Sequence, residues 1–128
     1  MSDEQATWRA EVEALLRAYI GAFESDGTRD DLQAFCALPL AYVGDDGVQM
    51  RERYPFDPVK LRAHTGLARS RVDLNVVHVD GHKAHVLIEG TRERADGSVI
   101  EEIASVYVLH RLDGEWKITM MSGVRTPR

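Results

Sequence analysis

Three Asp-Gly pairs divide the second half of the chain into segments rich in β-branched and apolar residues. The pairs lie in HVDGHK, RADGSV and RLDGEW. Asp-Gly is favoured at the centre of a two-residue type I′ turn, because both central residues of that turn need a positive φ. Strands joined in succession by such turns form an antiparallel meander. The sequence therefore predicts one continuous meander from Arg71 onward.

Residues 1–38 show the period of helices. Ser2 and Gln5 have the spacing of a capping box, and Gly27 marks the end of the first helix. Apolar residues between these points recur at intervals of three and four and share one face. They are Trp8, Val12, Leu15, Leu16, Tyr19 and Phe23.

A second, shorter helix is predicted between Thr28 and Pro39. Thr28 and Asp31 have the spacing of another capping box, and a helix usually ends before a proline. This helix would carry Cys36, the single cysteine of the chain, as a small buried hydrophobic residue. Its surroundings, QAFCALP, offer neither a base nor a helix N-terminus that would make the thiol reactive.

A hairpin and a third helix separate these helices from the meander. In LAYVGDDGVQMRER, Asp46-Gly47 predicts the hairpin turn. In FDPVKLRAHTGLAR, Asp57 predicts an N-cap and Pro58 the first helical position. The buried face of this helix would carry Val59, Ala63 and Leu67. The order of elements predicts a single α+β domain over residues 1–128, with three helices packed on a curved antiparallel sheet.

The register of the meander follows if each Asp-Gly pair is the centre of its turn. Val79 then opposes His82, and Tyr107 pairs with Val86 on one side and Met120 on the other. Because side chains alternate along a strand, one face would meet the helices. It would carry Asn75, Val77, Val79, Ala84, Val86, Ile88, Ile103, Ser105, Tyr107, Leu109, Trp116, Ile118 and Met120. The opposite face would carry Val72, Leu74, Val76, His78, Lys83, His85, Leu87, Ala104, Val106, Val108, His110, Lys117, Thr119 and Met121.

The opposite face is also largely apolar, and this predicts a homodimer. A sheet with one solvated face would alternate cleanly between apolar and polar residues. An exposed apolar patch of that size would be unusual on a monomer. We expect two chains to associate through this face. The interface would include Val76, His85, Val106, Val108 and Thr119.

Three histidines in the stretch HVDGHKAH and beyond raise the question of a metal site. His78, His85 and His110 share the face that looks away from the helices, and imidazole is a good ligand for transition metals. Lys83 lies between two of them, and its charge would oppose a divalent cation. The spacing matches no known ligand motif. We therefore predict a hairpin tip at the polar rim of an interface, and no metal.

Composition excludes several classes of function. The chain has 128 residues, 44% of them hydrophobic and 29% charged, as in an ordinary soluble domain. Its net charge of -5, with arginines spread along the sequence, argues against nucleic acid or an anionic membrane as a partner. The N-terminal stretch MSDEQATWRAEVE has no apolar signal segment, which favours the cytoplasm. No phosphate loop, nucleophile elbow or zinc-hydrolase motif occurs, so no cofactor is predicted.

The layout resembles the nuclear transport factor 2-like superfamily. The resemblance is carried by AYIGAF in the first helix, a hairpin after Pro39, a third helix, and a meander closing on DGEWKI. The superfamily includes SnoaL-like polyketide cyclases, ketosteroid isomerase and scytalone dehydratase. The resemblance implies a cone-shaped, cystatin-like α+β barrel with a pocket between the helices and the concave sheet. It also implies a homodimer formed through the sheet.

The resemblance also suggests catalytic residues. In ketosteroid isomerases a tyrosine of the first helix donates a hydrogen bond to the substrate oxyanion, and Tyr19 matches that position. The general-base aspartate would fall near Asp45. The protonated acid would fall near Tyr107, where this sequence has no carboxyl group, so steroid isomerase activity is not expected. Tyr107 could donate in its place, and His64 of the third helix is a second candidate base because histidine titrates near neutral pH.

Three functions stay open. The chain is predicted to be a homodimer that binds a small hydrophobic molecule, in a pocket lined by Trp8, Phe23, Asn75, Val86, Ser105, Trp116 and Met120. It could instead be an isomerase, cyclase or dehydratase that acts on a small hydrophobic carbonyl or hydroxy compound by general acid-base chemistry. It could also be an association module whose pocket is filled by side chains. The missing third acid favours the first function over the second.

Overall fold

Three helices lie on one side of a six-stranded sheet in the computed structural model, which describes residues 2–127 and the side chains up to residue 123. The helices are α1 (Asp3–Glu24), α2 (Arg29–Gln33) and α3 (Pro58–Thr65). The strands are β1 (Cys36–Gly44), β2 (Gly47–Arg51), β3 (Leu67–Val79), β4 (Lys83–Arg94), β5 (Val99–Leu112) and β6 (Glu115–Pro127). The sheet is curved and unclosed, and the predicted α+β class is confirmed. No described helix is both long and apolar enough to cross a membrane.

The N-caps of all three helices agree with the sequence. Ser2 Oγ accepts a hydrogen bond from the Gln5 amide at 3.1 Å, and the Gln5 side chain accepts one from the Ser2 amide in return. Thr28 and Asp31 form the same reciprocal pair at the start of α2. Asp57 caps α3 ahead of Pro58. Because each cap satisfies amides that have no partner inside the helix, these short patterns fix where the helices begin.

The second helix is shorter than predicted, and Cys36 starts a strand. α2 ends at Gln33, and β1 then pairs in parallel with β6. The Ile118 amide donates to the Phe35 carbonyl at 2.9 Å at the start of this pairing. Cys36 is buried, as expected, although its environment is a sheet and not a helix. β1 pairs with the edge of β6, and because this pairing is non-local, no local sequence pattern predicts it.

The predicted meander is confirmed, in the strand order β2-β1-β6-β5-β4-β3. The β5–β6 turn is a two-residue type I′ turn, with φ of 53° at Asp113 and 81° at Gly114. Between β4 and β5, the Arg94 amide donates to the Ser98 carbonyl around a three-residue loop. Val86 still pairs with Tyr107, as the sequence predicts.

The β3–β4 turn is shifted by one residue from the predicted position. The Asp80 amide donates to the Lys83 carbonyl at 3.0 Å, so Gly81 and His82 are the central residues. The Asp80 carboxylate accepts hydrogen bonds from the His82 amide at 2.7 Å and the Lys83 amide at 2.9 Å. An aspartate that binds backbone amides farther along the chain stabilises the first position of a turn. Val79 therefore pairs with Ala84 and not with His82.

A β-bulge in β3 reverses the predicted faces of that strand. Val76 pairs with Val86 and His78 with His85, so Val77 is the extra residue and is 60% exposed. Before the bulge, the side that meets the helices carries Val72, Leu74 and Val76. Asn75 is exposed on the other side. The predictions that Asn75 and Val77 face the helices, and that Val76 lies on the dimer face, are therefore wrong, because one inserted residue turns every side chain beyond it to the other face.

A second bulge does the same in β6. Val108 pairs with Met120 and Leu109 with Ile118, which leaves Thr119 as the extra residue. Met121, not Met120, therefore pairs with Tyr107 and is buried. We call the side of the sheet away from the helices the outer face. It carries Asn75, His78, His85, Leu87, Ala104, Val106, Val108, His110, Thr119 and Met120.

The third helix turns a different side to the core than predicted. Val59 is 49% exposed, and Ala63 and His64 are exposed as well. Arg62 points inward, and its guanidinium donates to the carbonyl of Phe23 at 2.8 Å and of Gly27 at 2.9 Å. α1 has no basic residue in its last turn, so Arg62 supplies the positive charge that the end of that helix favours.

Side chains of α1 bind the backbone of β3, which is an edge strand. Arg9 donates to the Val76 carbonyl at 2.9 Å, and Arg17 donates to the Val72 carbonyl at 3.2 Å. The Glu24 carboxylate accepts a hydrogen bond from the Ser70 amide. Three polar side chains of the helix thus occupy backbone groups that a neighbouring strand would otherwise use.

Replacing Gly90 should test the close approach of β3 and β4. A Cβ atom at Gly90, where φ is 157°, would lie 2.0 Å from the Arg71 carbonyl oxygen. We expect Gly90→Ala to lower the free energy of unfolding by about 2 kcal/mol or more, because backbone must move to admit the methyl group. Urea unfolding measures this. Gly44→Ala is the control, since no atom lies within 4 Å of its Cβ position. Equal losses in the two variants would contradict the close approach.

Candidate functional site

A small cavity lies between α1 and the strands β3, β4 and β5. Its volume is about 20 Å³, enough for roughly one water molecule. Its walls are Tyr19, Ile20, Phe23, Ser70, Val72, Ile88, Arg92, Ile103, Ser105 and Tyr107. A second cavity of about 20 Å³ shares five of these residues and extends to Tyr42, Phe56, Met121 and Gly123. The two cavities together form the candidate site.

Tyr19 is the centre of an aromatic cluster at this site. Its ring centroid lies 5.9 Å from that of Tyr107, 6.1 Å from that of Tyr54 and 5.8 Å from that of Phe35. Each of these pairs is close to edge-to-face, the arrangement that aromatic quadrupoles favour. α1 supplies Tyr19 from its buried face, and β5 supplies Tyr107. The cluster fills much of the space between the helices and the sheet.

The tyrosine hydroxyls are linked. The hydroxyls of Tyr19 and Tyr54 are hydrogen-bonded to each other, and either can be the donor. Burial is the first cause that raises the pKa of Tyr19 above its ordinary value of 10, and the neighbouring Tyr107 and Tyr54 raise it further. Burial raises the pKa of Tyr54 as well. Both phenols therefore stay protonated near neutral pH, where they can donate hydrogen bonds but cannot act as bases.

Tyr54 belongs to the aromatic cluster beside the cavities without lining either of them, and its full burial was not predicted from the sequence. It lies in the segment between β2 and α3 and is fully buried. Its amide donates to the Gln33 side chain at 2.9 Å, and its ring packs on Phe56 at 5.6 Å. The segment has no regular structure and hence no period from which a buried side could be read. The charged residues before Tyr54 and the proline after it indicate an exposed segment, so nothing in the local sequence predicts that its ring is buried.

Arg92 was also missed, and it is the one cation among the residues that line the two described cavities. Its guanidinium lies 5.0 Å from the centroid of the Phe23 ring, in a cation–π contact. Its Nη1 donates to Glu101 Oε1 at 2.7 Å, and each of the two side chains is 14% exposed. Arg92 and Glu101 are directly opposed in β4 and β5. In the sequence, Arg92 lies close to a predicted turn, where a charged residue is usually solvated.

The structure brings four of the residues predicted for the site together. Tyr19, Phe23, Ser105 and Tyr107 all line the cavities. Tyr19 and Phe23 come from successive turns of α1, while Ser105 and Tyr107 are alternate residues of β5. Because alternate residues of a strand share a face, the hydroxyls of β5 point to the same space.

The other predicted site residues lie elsewhere. Asp45 is exposed in the β1–β2 turn, and His64 is exposed on α3. Val86 is fully buried but lines neither cavity, and Trp8 packs against Gly81. Trp116 is buried and its Nε1 donates to Glu11 Oε1 at 3.3 Å. Asn75 and Met120 lie on the outer face because of the bulges in β3 and β6.

The histidines and the cysteine show no arrangement for metal chemistry. The His78 and His85 rings are 5.5 Å apart, His78 Nε2 lies 2.7 Å from an Asp80 carboxylate oxygen, and His110 Nδ1 lies 2.6 Å from Thr119 Oγ1. Within residues 2–127, no group of three or more histidine, cysteine or acidic residues could hold a metal ion. Burial raises the pKa of the Cys36 thiol to about 12, so it stays protonated.

Comparisons with known proteins agree on the fold. A family model described as NTF2-like protein (DUF6841) matches residues 59–126. A comparison with curated proteins gives no significant match. Among solved structures, a domain of unknown function with a cystatin-like fold from Nostoc punctiforme has a TM-score of 0.74 and 15% sequence identity, covering 100% of this chain and 81% of that one.

Two other similar structures carry the names of enzymes. One, from Novosphingobium aromaticivorans, is described as a candidate scytalone dehydratase; it has a TM-score of 0.67 and 12% identity and covers 98% of this chain and 89% of its own. The other is a hexachlorocyclohexane dehydrochlorinase from Novosphingobium barchaimii, with a TM-score of 0.63, 17% identity and coverage of 99% and 94%. At these identities the likeness establishes a shared fold, and the named activities are those of the other proteins.

Alkaline unfolding should report the buried tyrosine pair. Tyrosines of the unfolded chain ionise near pH 10, while burial keeps Tyr19 and Tyr54 protonated in the folded state. Stability from this pair is therefore complete below pH 10 and is lost as the pH rises above it. We expect the urea concentration at the midpoint of unfolding to decrease as the pH rises above 10. The double variant Tyr19→Phe, Tyr54→Phe should lose most of this pH dependence. An identical pH profile in the double variant would contradict the assignment.

Proposed function

The chain belongs to the NTF2-like protein family DUF6841, and from that premise we propose that it is a homodimer that binds a small molecule between α1 and the sheet. The observation that carries the proposal is the composition of the cavity walls. Most of the residues that line the cavities are apolar or aromatic, and Arg92, Ser105 and Tyr107 add polar atoms at the same space. Ligand sites typically combine apolar walls with a few such polar groups.

The size of the site favours a compact ligand. Each cavity of about 20 Å³ has room for roughly one water molecule. Phe23 and Arg92 border both cavities. We propose that a movement of the Phe23 side chain joins the two spaces beside Arg92 and admits a small ring or a short branched chain. If Phe23 does not move, the protein is an association module with a filled interior, and the ligand screen below distinguishes the two alternatives.

The polar atoms favour a ligand with an acceptor oxygen. Ser105 and Tyr107 each carry a hydroxyl at the cavity, and the guanidinium of Arg92 only donates hydrogen bonds. The apolar walls would hold the rest of the molecule. We therefore propose a small hydrophobic carbonyl or hydroxy compound as the ligand.

General acid-base catalysis by this site has less support. The two candidate bases, Asp45 and His64, are exposed and line neither cavity. Among the described lining residues there is no carboxylate and no imidazole, so a base would have to come from the ligand or from a movement of the chain. Tyr19 and Tyr107 could stabilise an oxyanion, but a donor without a base completes only half of an isomerase or dehydratase site. Binding is the better-supported function.

The homodimer is proposed through the outer face. Val106, which is 42% exposed, lies at its centre among Leu87, Val108 and Met120. Val76 is removed from the predicted interface because it is buried under α1. His85 and Thr119 stay in it, at the side of the patch nearest the β3–β4 turn. An apolar centre with polar residues around it is the usual composition of a dimer interface.

A thermal-shift screen tests ligand binding. We would use acetophenone, cyclohexanone and p-cresol as neutral probes. A bound ligand at ten times its dissociation constant stabilises the folded state by about 1.4 kcal/mol and should raise the melting temperature by a few degrees. Tyr107→Phe should weaken binding roughly fivefold through the loss of one hydrogen bond. Ser98→Ala, which removes a hydroxyl outside the cavities, is the control. If no probe shifts the wild-type protein, a neutral ligand of this class is excluded, and the filled-interior alternative is correct if charged probes of the same size do not bind either.

Sedimentation velocity at several concentrations tests the dimer. We expect the wild-type protein to sediment as a dimer and Val106→Asp as a monomer, because a buried unpaired carboxylate is costly. Val59→Asp is the matched control, since Val59 is similarly exposed, at 49% against 42%, but lies on α3. The control should stay dimeric. A dimeric Val106→Asp, or a wild-type protein that is monomeric throughout, would exclude the outer face as the interface.

A further inference from the structure

The ion pair at the candidate site points to the chemical class of the ligand. We propose that the ligand is a small carboxylate, and that its carboxylate replaces that of Glu101 on Arg92. This inference rests on the proposed ligand-binding function and makes it more specific. Arg92 is the one cation at the two described cavities, and Glu101 is the carboxylate that it binds.

The position of Arg92 supports this choice. Its guanidinium packs on the Phe23 ring, with Cζ 5.0 Å from the ring centroid, and Arg92 lines both cavities, so the fork lies at the wall of the site. A guanidinium carries five N–H donors, and the Nη1 contact with Glu101 Oε1 engages one carboxylate oxygen. An arginine fork is suited to two-point binding of a carboxylate. The site therefore already contains the group that a carboxylate ligand needs.

The Glu101 carboxylate accepts from the Arg92 guanidinium, as the carboxylate of a ligand would. Arg92 and Glu101 are cross-strand neighbours, so both side chains leave the sheet on the face that meets the helices. Each is 14% exposed, so the pair lies at the edge of the site, and Arg92 lines the cavities whereas Glu101 does not. A buried cation that loses its partner is strongly destabilised. A carboxylate ligand can release Glu101 without leaving Arg92 unpaired, whereas a neutral ligand cannot.

The rest of the site limits the size and polarity of the acid. Phe23, Ile88 and Ile103 surround the space next to Arg92, and Ser105 and Tyr107 lie on the adjoining wall. This arrangement suits a compact aromatic or branched monocarboxylate, with its ring or branch against the apolar residues. A second charge on the ligand would have no cationic partner among the described lining residues.

Benzoate and benzamide are a matched pair of probes, because they share shape and differ in charge. Calorimetric titration should show benzoate binding to the wild-type protein a few-fold more tightly than benzamide, because only benzoate can pair with Arg92 but it must first displace Glu101. Glu101→Gln removes the competing carboxylate and keeps its shape. It should tighten benzoate binding by about tenfold and leave benzamide binding unchanged.

Variants of Arg92 complete the test. Arg92→Gln should abolish the preference for benzoate. Arg92→Lys keeps the charge and an ion pair with Glu101 but lacks the planar fork, so it should reduce the preference for benzoate. Because it keeps the ion pair, it should fold even if Arg92→Gln fails to fold. Each variant is first compared with the wild-type protein by its melting temperature.

The outcomes separate this inference from the proposed function. Equal binding of benzoate and benzamide, a preference that survives in Arg92→Gln, or weaker benzoate binding in Glu101→Gln would each overturn the carboxylate inference. If the neutral probes of the thermal-shift screen bind and benzoate does not, the inference fails and the proposed function stands. If neither kind of probe binds, both fail.

Discussion

The pairing of β4 with β5 is the constraint on which the candidate site depends. It places Arg92 opposite Glu101, Ile88 opposite Ser105 and Val86 opposite Tyr107. All six side chains therefore leave the sheet on the side of the helices, where Tyr19 and Phe23 of α1 meet them. A slip of one residue would turn the side chains of one strand to the outer face, so that Arg92 of β4 would no longer share the space under α1 with Ser105 and Tyr107 of β5. The chemistry of the site is thus a consequence of backbone register.

Local sequence chemistry predicted the parts of the fold that depend on local interactions. The caps at Ser2, Thr28 and Asp57 follow from side-chain oxygens that satisfy nearby amides, and the Asp113-Gly114 turn follows from the positive φ that both residues adopt. The order of these signals was sufficient for the α+β class and for the family. Tyr19 and Phe23 were found because an apolar helix face has a period.

Non-local and irregular features could not be predicted in the same way. A bulge such as Val77 or Thr119 adds one residue to a strand without any change in composition. Counting outward from the turns, the side chains that follow each bulge were therefore predicted on the wrong face of the sheet. The parallel pairing of β1 with β6 joins segments that are far apart in the sequence. Tyr54 and Arg92 are buried by contacts with other elements, and the residues next to them in the chain indicate a surface.

The contacts between α1 and β3 have a consequence for self-association. An open sheet edge can template the addition of a foreign strand and so begin aggregation. Along β3, however, Arg9, Arg17 and Glu24 already hold the carbonyls of Val76 and Val72 and the amide of Ser70. An incoming chain would have to break these contacts before it could pair, and the bulge at Val77 would interrupt its ladder. The helix therefore protects this margin of the sheet against fibril growth, although the sheet never closes into a full barrel.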